Sequence, residues 1–134
     1  MRTTVTVAGL LLSLLAAPAS ALDFTTPILD QNGHAARERI KDGVYDPASP
    51  VVTLGSAIST ALFAPPQADP PGARGAPADP IRLAKRAALA LRLRDAKDFD
   101  LTAEQVVEIK ATIAIFPPII VLRVIEAIDP ASLK

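Results

Sequence analysis

Residues 101–118 read LTAEQVVEIKATIAIFPP, and this stretch carries the strongest helix signals in the chain. Thr102 and Gln105 have the spacing of a capping box, in which the two side chains bind each other's backbone N–H at the start of a helix. Glu104, in the same turn, favours the positive end of the helix dipole. One face of the predicted helix is apolar and consists of Val106, Ile109, Ile113 and Phe116. The stretch therefore predicts an amphipathic helix on a core, which ends before Pro117.

Two further helices are predicted on either side of this stretch. Pro118 starts the downstream helix, and Asp129-Pro130 ends it. Its apolar face is formed by Ile120, Val121, Val124, Ile125 and Ile128. Upstream, Asp79 caps a helix that runs from Pro80 to about Ala96. Its predicted core face is formed by Ile81, Ala84, Ala87, Ala88 and Leu91.

The segment before Pro80 is less regular. Thr53 is placed to cap a short helix from Leu54 to Phe63, whose buried face has the helical spacing of Leu54, Ala57, Ile58, Ala61 and Leu62. Asn32-Gly33 favours a hairpin turn, and Asp42-Gly43 is a further turn signal. Residues 64–80 are rich in proline and lack large apolar side chains, which is typical of a linker.

Together these signals predict a mostly α fold: a small helical domain with three C-terminal helices and one short helix, preceded by a weak β-hairpin or extended arm. The predicted division of the chain is a signal peptide over 1–21, an N-terminal arm with a turn and a short helix over 22–63, a Pro-rich linker over 64–80 and a three-helix core over 81–134.

The first 21 residues have the pattern of a secretory signal peptide. Arg2 supplies a positive charge, residues 5–15 are mainly apolar, and Ala19-Ser20-Ala21 has the small-x-small form of a cleavage site. The apolar run is too short for a membrane anchor, which needs about 20 residues. The leader predicts a secreted or periplasmic protein with no membrane association after cleavage. A mis-assigned start is the alternative: translation that begins at Leu22 would place the protein in the cytoplasm.

Composition excludes several kinds of site. The chain of 134 residues has no cysteine and one histidine, so disulfides, thiolate zinc sites, cysteine nucleophiles and His-rich metal sites are excluded. Lysine plus arginine total 14 and aspartate plus glutamate total 14, and no aromatic residue lies among the clustered charges. The sequence therefore predicts no nucleic-acid partner.

No catalytic, cofactor-binding or metal-binding residue is predicted. The acidic residues between two of the helices, Asp95, Asp98, Asp100 and Glu104, suggest a calcium loop. However, Ala103 and Ile109 stand where such a loop of the EF-hand kind needs glycine and glutamate. His34 has no acid or serine partner in a catalytic pattern, and no nucleophile elbow or phosphate loop occurs. These observations predict a protein without enzymatic activity.

The helix after Pro80 contains the candidate partner surface. Six basic residues lie between Ile81 and Lys97, against Asp95 alone. Leu89 and Leu93 fall among these basic residues, opposite the predicted core face. The predicted surface consists of Arg82, Lys85, Arg86, Leu89, Arg92 and Leu93. Such a surface fits an acidic, partly apolar protein or a second copy of the chain. The alternatives are ordinary isolated surface leucines and leucines that pack beneath the hairpin arm.

Several short motifs after Leu22 resemble those of small uncharacterised bacteriophage and prophage proteins. They are Asp23-Phe24, Pro27, Asp30, Gly33, Thr53-Leu54-Gly55, Ala61-Leu62, Lys85-Arg86, Asp100-Leu101-Thr102-Ala103-Glu104 and Ile109-Lys110. The resemblance implies a small helical accessory protein that acts through protein contacts and has no catalytic residues to transfer. The chain departs from those proteins in its Pro-rich insert and its leader.

Two functions are therefore expected. The first is a small exported, non-enzymatic helical protein that acts through contacts with other proteins. The alternative is a prophage-derived accessory protein in the cytoplasm, for which the leader is a mis-assigned start.

Overall fold

The computed structural model describes residues 21–65 and 79–134. The helices and strands are β1 (Ile40–Lys41), β2 (Val44–Tyr45), α1 (Leu54–Phe63), α2 (Pro80–Leu93), α3 (Ala103–Thr112) and α4 (Pro118–Ile128). Single 3₁₀ turns follow α3 and α4, at Ile113–Ile115 and Pro130–Leu133. The mostly α fold is confirmed. The signal-peptide prediction, apart from Ala21, and most of the linker prediction, residues 66–78, lie outside the described residues.

The helices begin where the sequence predicts, because the capping groups are local. The Thr53 hydroxyl accepts the Ser56 N–H at 3.0 Å, and the Ser56 hydroxyl accepts the Thr53 N–H at 2.9 Å. Thr102 and Gln105 form the predicted capping box of α3. Each capping box satisfies backbone donors that have no partner inside the helix.

The two-stranded hairpin lies at a different turn from the one predicted. β1 and β2 pair across Asp42-Gly43, where both residues have positive φ, at 53° and 77°. A type I′ turn requires this conformation at both central positions. At Asn32-Gly33 only the glycine has positive φ, and the turn is closed by one bridge, between Leu29 and Ala35. The Asp30 carboxylate holds that turn by accepting two backbone N–H groups.

The core is centred on α1 and includes the N-terminal segment. The prediction of a core confined to residues 81–134 is wrong. The buried side chains before Pro80 are Phe24, Ile28, Leu54, Ala57, Ile58, Ala61 and Leu62, and those after it are Leu89, Ala90, Leu93, Ile109, Ile113 and Val124. The sequence of α1, LGSAISTALF, has only small or apolar side chains, so other segments pack around most of its surface.

The orientation of α2 is the second correction. The helix buries Leu89, Ala90 and Leu93, whereas Ile81 and Leu91 of the predicted core face are 63% and 66% exposed. Both faces of this helix are apolar, and each carries two large aliphatic side chains, so apolar area alone does not select the buried face. The predicted surface position of Leu89 and Leu93 is therefore wrong: they are 7% and 0% exposed.

Candidate functional site

A groove of about 750 Å³ lies between α2 and the first two turns of α3. Its α2 wall carries the four cations of the predicted partner surface, Arg82, Lys85, Arg86 and Arg92. Its α3 wall carries Glu104 and Glu108, and the side of Leu89 that remains accessible contributes to the floor. The structure thus brings the predicted cations together, while it places Leu93 inside the core.

Glu108 ties the two walls of the groove together. Its carboxylate accepts hydrogen bonds from both Arg82, at 3.0 Å, and Arg86. Partial burial raises the pKa of Glu108, but the hydrogen bonds and charges of the two arginines outweigh burial, so the pKa is lowered. Glu108 is therefore ionised at neutral pH and compensates one of the two positive charges of these arginines.

Lys85 and Arg92 differ from the other two cations on this wall. Both are exposed, and neither forms an ion pair with a carboxylate among residues 21–65 and 79–134. The Arg92 guanidinium lies 5.8 Å from the centroid of the Phe99 ring, which holds it by a cation–π contact. These two side chains leave positive charge available to a carboxylate from another molecule.

An apolar stripe runs along α2 beside these two cations. It consists of Ile81, Ala84, Ala88 and Leu91, all of which are exposed. Lys85 and Arg92 each follow a stripe residue by four positions, so they lie along one border of the stripe. The sequence analysis predicts that this face of α2 packs in the core. Ile81 and Leu91 are therefore surface residues that the prediction missed.

The other candidate residues do not assemble into a site. Asp95, Asp98, Asp100 and Glu104 are all exposed. Within the described ranges, no three histidine or acidic side chains come together as ligands for a metal ion. His34 is exposed in the turn that Asp30 stabilises.

The chain has no match among protein-family models, curated proteins or solved structures. In the part of the chain that the structure describes, every helix is too short or too polar to span a bilayer. The exposed face of α2 and the adjacent groove are the candidate functional site.

Proposed function

We propose that this chain is a non-enzymatic protein that binds another protein through the exposed face of α2 and the adjacent groove. The observation that carries the proposal is the apolar stripe of α2, which lies in solvent beside two cations that have no described ion-pair partner. Ile81 and Leu91, at the two ends of the stripe, are each about two-thirds exposed. An apolar patch bordered by polar groups is typical of a protein contact surface.

The carboxyl groups whose pKa is shifted have structural partners. Hydrogen bonds to the carboxylate lower the pKa of Asp23, Asp30 and Asp129, as they do for Glu108. The shifted carboxyl groups stabilise turns or ion pairs, which are structural roles.

We also propose that the protein is exported and that its mature form begins at Leu22. Ala21 is exposed, whereas the backbone of Leu22 exchanges two hydrogen bonds with that of Phe99, at 3.1 and 3.2 Å. A free amino group at Leu22 would still donate to the Phe99 carbonyl, so cleavage after Ala21 is compatible with the described fold. N-terminal sequencing of the protein from the cell envelope or the medium is expected to start at Leu22. A cytoplasmic protein with an initiator methionine at position 22 would instead favour the prophage alternative.

The contact surface is tested by site-specific photo-crosslinking in the producing cell. A photoreactive residue in place of Ala88, on the stripe, is expected to give one discrete product whose partner is identified by mass spectrometry. The matched control is the same residue in place of Val107, which is also exposed, at 67%, but lies on α3 and outside the groove. Equal products from both positions, or none from position 88, would contradict the proposal.

The identified partner then allows a direct measurement with purified proteins. Replacing Ile81 and Leu91 together by serine is expected to weaken binding at least tenfold, because each apolar side chain contributes about 1 kcal/mol on burial. Far-UV circular dichroism of the double variant should remain unchanged, because both side chains are exposed in the free protein. Unchanged affinity would show that the stripe is not the contact surface.

A further inference from the structure

The exposed face of α2 has the spacing of a coiled-coil seam. Ile81, Ala84, Ala88 and Leu91 are separated by three, four and three residues, which are the a and d positions of two heptads. Lys85 and Arg92 then occupy the two e positions, and Arg94 occupies a g position. The side chains that α2 buries in the core lie on the opposite side of the helix. One helix thus packs on α1 and presents a second helix-packing seam to solvent.

We propose that the occupant of this seam is an amphipathic helix of another protein, with acidic residues along its apolar face. This inference rests on the function proposed above and specifies its partner. The partner's apolar residues would pack between Ile81 and Leu91, and its carboxylates would pair with Lys85 and Arg92. Residues at e and g positions set the choice of partner in paired helices.

The seam favours a helix over an extended strand. A strand binds by pairing its backbone N–H and C=O groups with an open sheet edge, which the face of a helix does not offer. Ala84 and Ala88, in the middle of the seam, allow the backbone of a second helix to approach closely. Asp95 stands at the next a position and Leu93 is the last residue of α2, so the seam is limited to two heptads.

The charges disfavour a second copy of the chain. Two α2 helices paired antiparallel through this seam would place Lys85 of one copy beside Arg92 of the other, and these like charges destabilise the pair. A parallel pair would set the same cations opposite Pro80 and Ala87, which offer no carboxylate. An acidic partner helix instead places a carboxylate beside each cation.

The charges of the groove would place the carboxylates of a partner on its α2 side. They also disfavour a lipid surface as the occupant. The α3 wall carries Glu104, which repels both anionic headgroups and a partner's carboxylates, and Glu108 is already bound by Arg82 and Arg86. The stripe has only two large apolar side chains, and the groove beside it is concave. A flat bilayer would not fill such a surface, but a narrow helix would.

The test uses the purified protein and two synthetic helical peptides of three heptads, measured by fluorescence anisotropy. Both peptides carry leucine at the a and d positions; one carries glutamate at e and g, and the other carries lysine there. The acidic peptide is expected to bind at least tenfold more tightly than the basic one, with an affinity that falls on raising the salt concentration. Two heptads bury a small area, so micromolar binding is expected.

A charge-reversal variant checks that the seam itself is responsible. Lys85→Glu with Arg92→Glu is expected to reverse the preference, so that the basic peptide binds more tightly. Because Arg92 also contacts Phe99, Lys85→Glu alone is measured as well and should weaken binding of the acidic peptide at least threefold. The matched control is Lys41→Glu with Lys134→Glu, two exposed positions away from α2, which should leave the preference unchanged.

The inference would be overturned if the acidic peptide failed to bind, or if the charge-reversal variant kept the preference for the acidic peptide. It would also be overturned if the wild-type protein formed a dimer that Ile81→Ser with Leu91→Ser abolishes. Binding to phosphatidylglycerol vesicles that is lost in the same double variant would overturn it too. If photo-crosslinking at position 88 identifies a protein partner while the acidic peptide fails to bind, the proposed function stands and only the class of partner is wrong. If the acidic peptide fails to bind and position 88 also gives no crosslinked partner, the proposed function is wrong as well.

Discussion

Gly55 is the residue at which three segments of the chain meet. Its N–H donates to the carbonyl of Phe24 at 2.7 Å. A Cβ atom at this position would collide with the carbonyl oxygen of Leu93 and would lie 2.8 Å from that of Arg94 and 2.9 Å from that of Phe24. The C-terminal carbonyls of α2 therefore rest on the N-terminal turn of α1, where the helix dipole favours negative partial charge. A side chain at position 55 would force these backbones apart.

We predict that Gly55→Ala lowers the free energy of unfolding by about 3 kcal/mol, because the added methyl group overpacks a site lined by backbone. Urea denaturation of the purified protein measures the change. In an exposed helix the same substitution would raise the free energy of unfolding by about 1 kcal/mol, so the sign of the measured change tests the close approach at Gly55. Gly43→Ala is the control, because that glycine has open space around it and a φ of 77°. This control substitution should lower the free energy of unfolding by about 1 kcal/mol. An equal or smaller cost at Gly55 would contradict the close approach.

Glu108 is the main polar link between α2 and α3. The Arg86 side chain is only 15% exposed, so its pairing with Glu108 takes place largely out of solvent. Removal of the carboxylate leaves a partly buried guanidinium without its partner, which is more costly than the loss of an exposed pair. Glu108 therefore links the basic wall of the groove to α3.

We predict that Glu108→Gln lowers the free energy of unfolding at pH 7 by about 1–2 kcal/mol. The pKa of Glu108 is lowered in the folded protein, so its stabilising effect is complete above the ordinary value of about 4.3 and is lost as the pH falls through the folded value. The difference between wild type and variant should accordingly shrink as the pH falls below about 4, as measured by urea denaturation at several pH values. Glu126→Gln, which removes a more exposed pair with Arg123, should have no measurable effect. A pH-independent cost at Glu108 would refute the ion-pair explanation.

The whole molecule folds around contacts between distant parts of the chain. The backbone of Phe24 donates to Ala96, and its fully buried ring packs edge-on against Phe99 with the ring centroids 6.2 Å apart. Ile28, Ala36 and Val52 form a closed set of backbone hydrogen bonds, each of 2.8 Å. The segment before α1 is therefore part of the core rather than a separate arm.

We predict that residues 79–134 alone do not fold, because they lack α1 and the buried ring of Phe24. Far-UV circular dichroism and the dispersion of amide proton NMR signals, compared with those of residues 22–134, provide the measurement. The longer fragment should show dispersed signals and a cooperative unfolding transition, and the shorter one neither. A cooperative transition in residues 79–134 would restore the sequence-based prediction of a separate three-helix core.

Local signals account for what could be predicted from the sequence. Thr53, Asp79 and Thr102 cap the helices where expected, and the buried faces of α1 and α3 follow their apolar spacing. The cations of the groove could also be placed on one helix from spacing alone. The position of the hairpin could not, because Asn32-Gly33 and Asp42-Gly43 are both good turn sequences and only one of them adopts the required pair of positive φ angles.

The sequence by itself determined the identity and the N-terminal ends of the helices, since capping and apolar periodicity act within a few residues. The C-terminal ends differ: α2 ends at Leu93 rather than near Ala96, and α3 ends at Thr112, before a 3₁₀ turn. The tertiary structure alone decided which side of α2 is buried. Both sides are apolar, and the outcome depends on which one fits against α1, with the backbone of Gly55 admitting the C-terminal end of α2. The side that carries Leu89, Ala90 and Leu93 entered the core, and the face from Ile81 to Leu91 was left exposed because a helix packed on one neighbour exposes its other face.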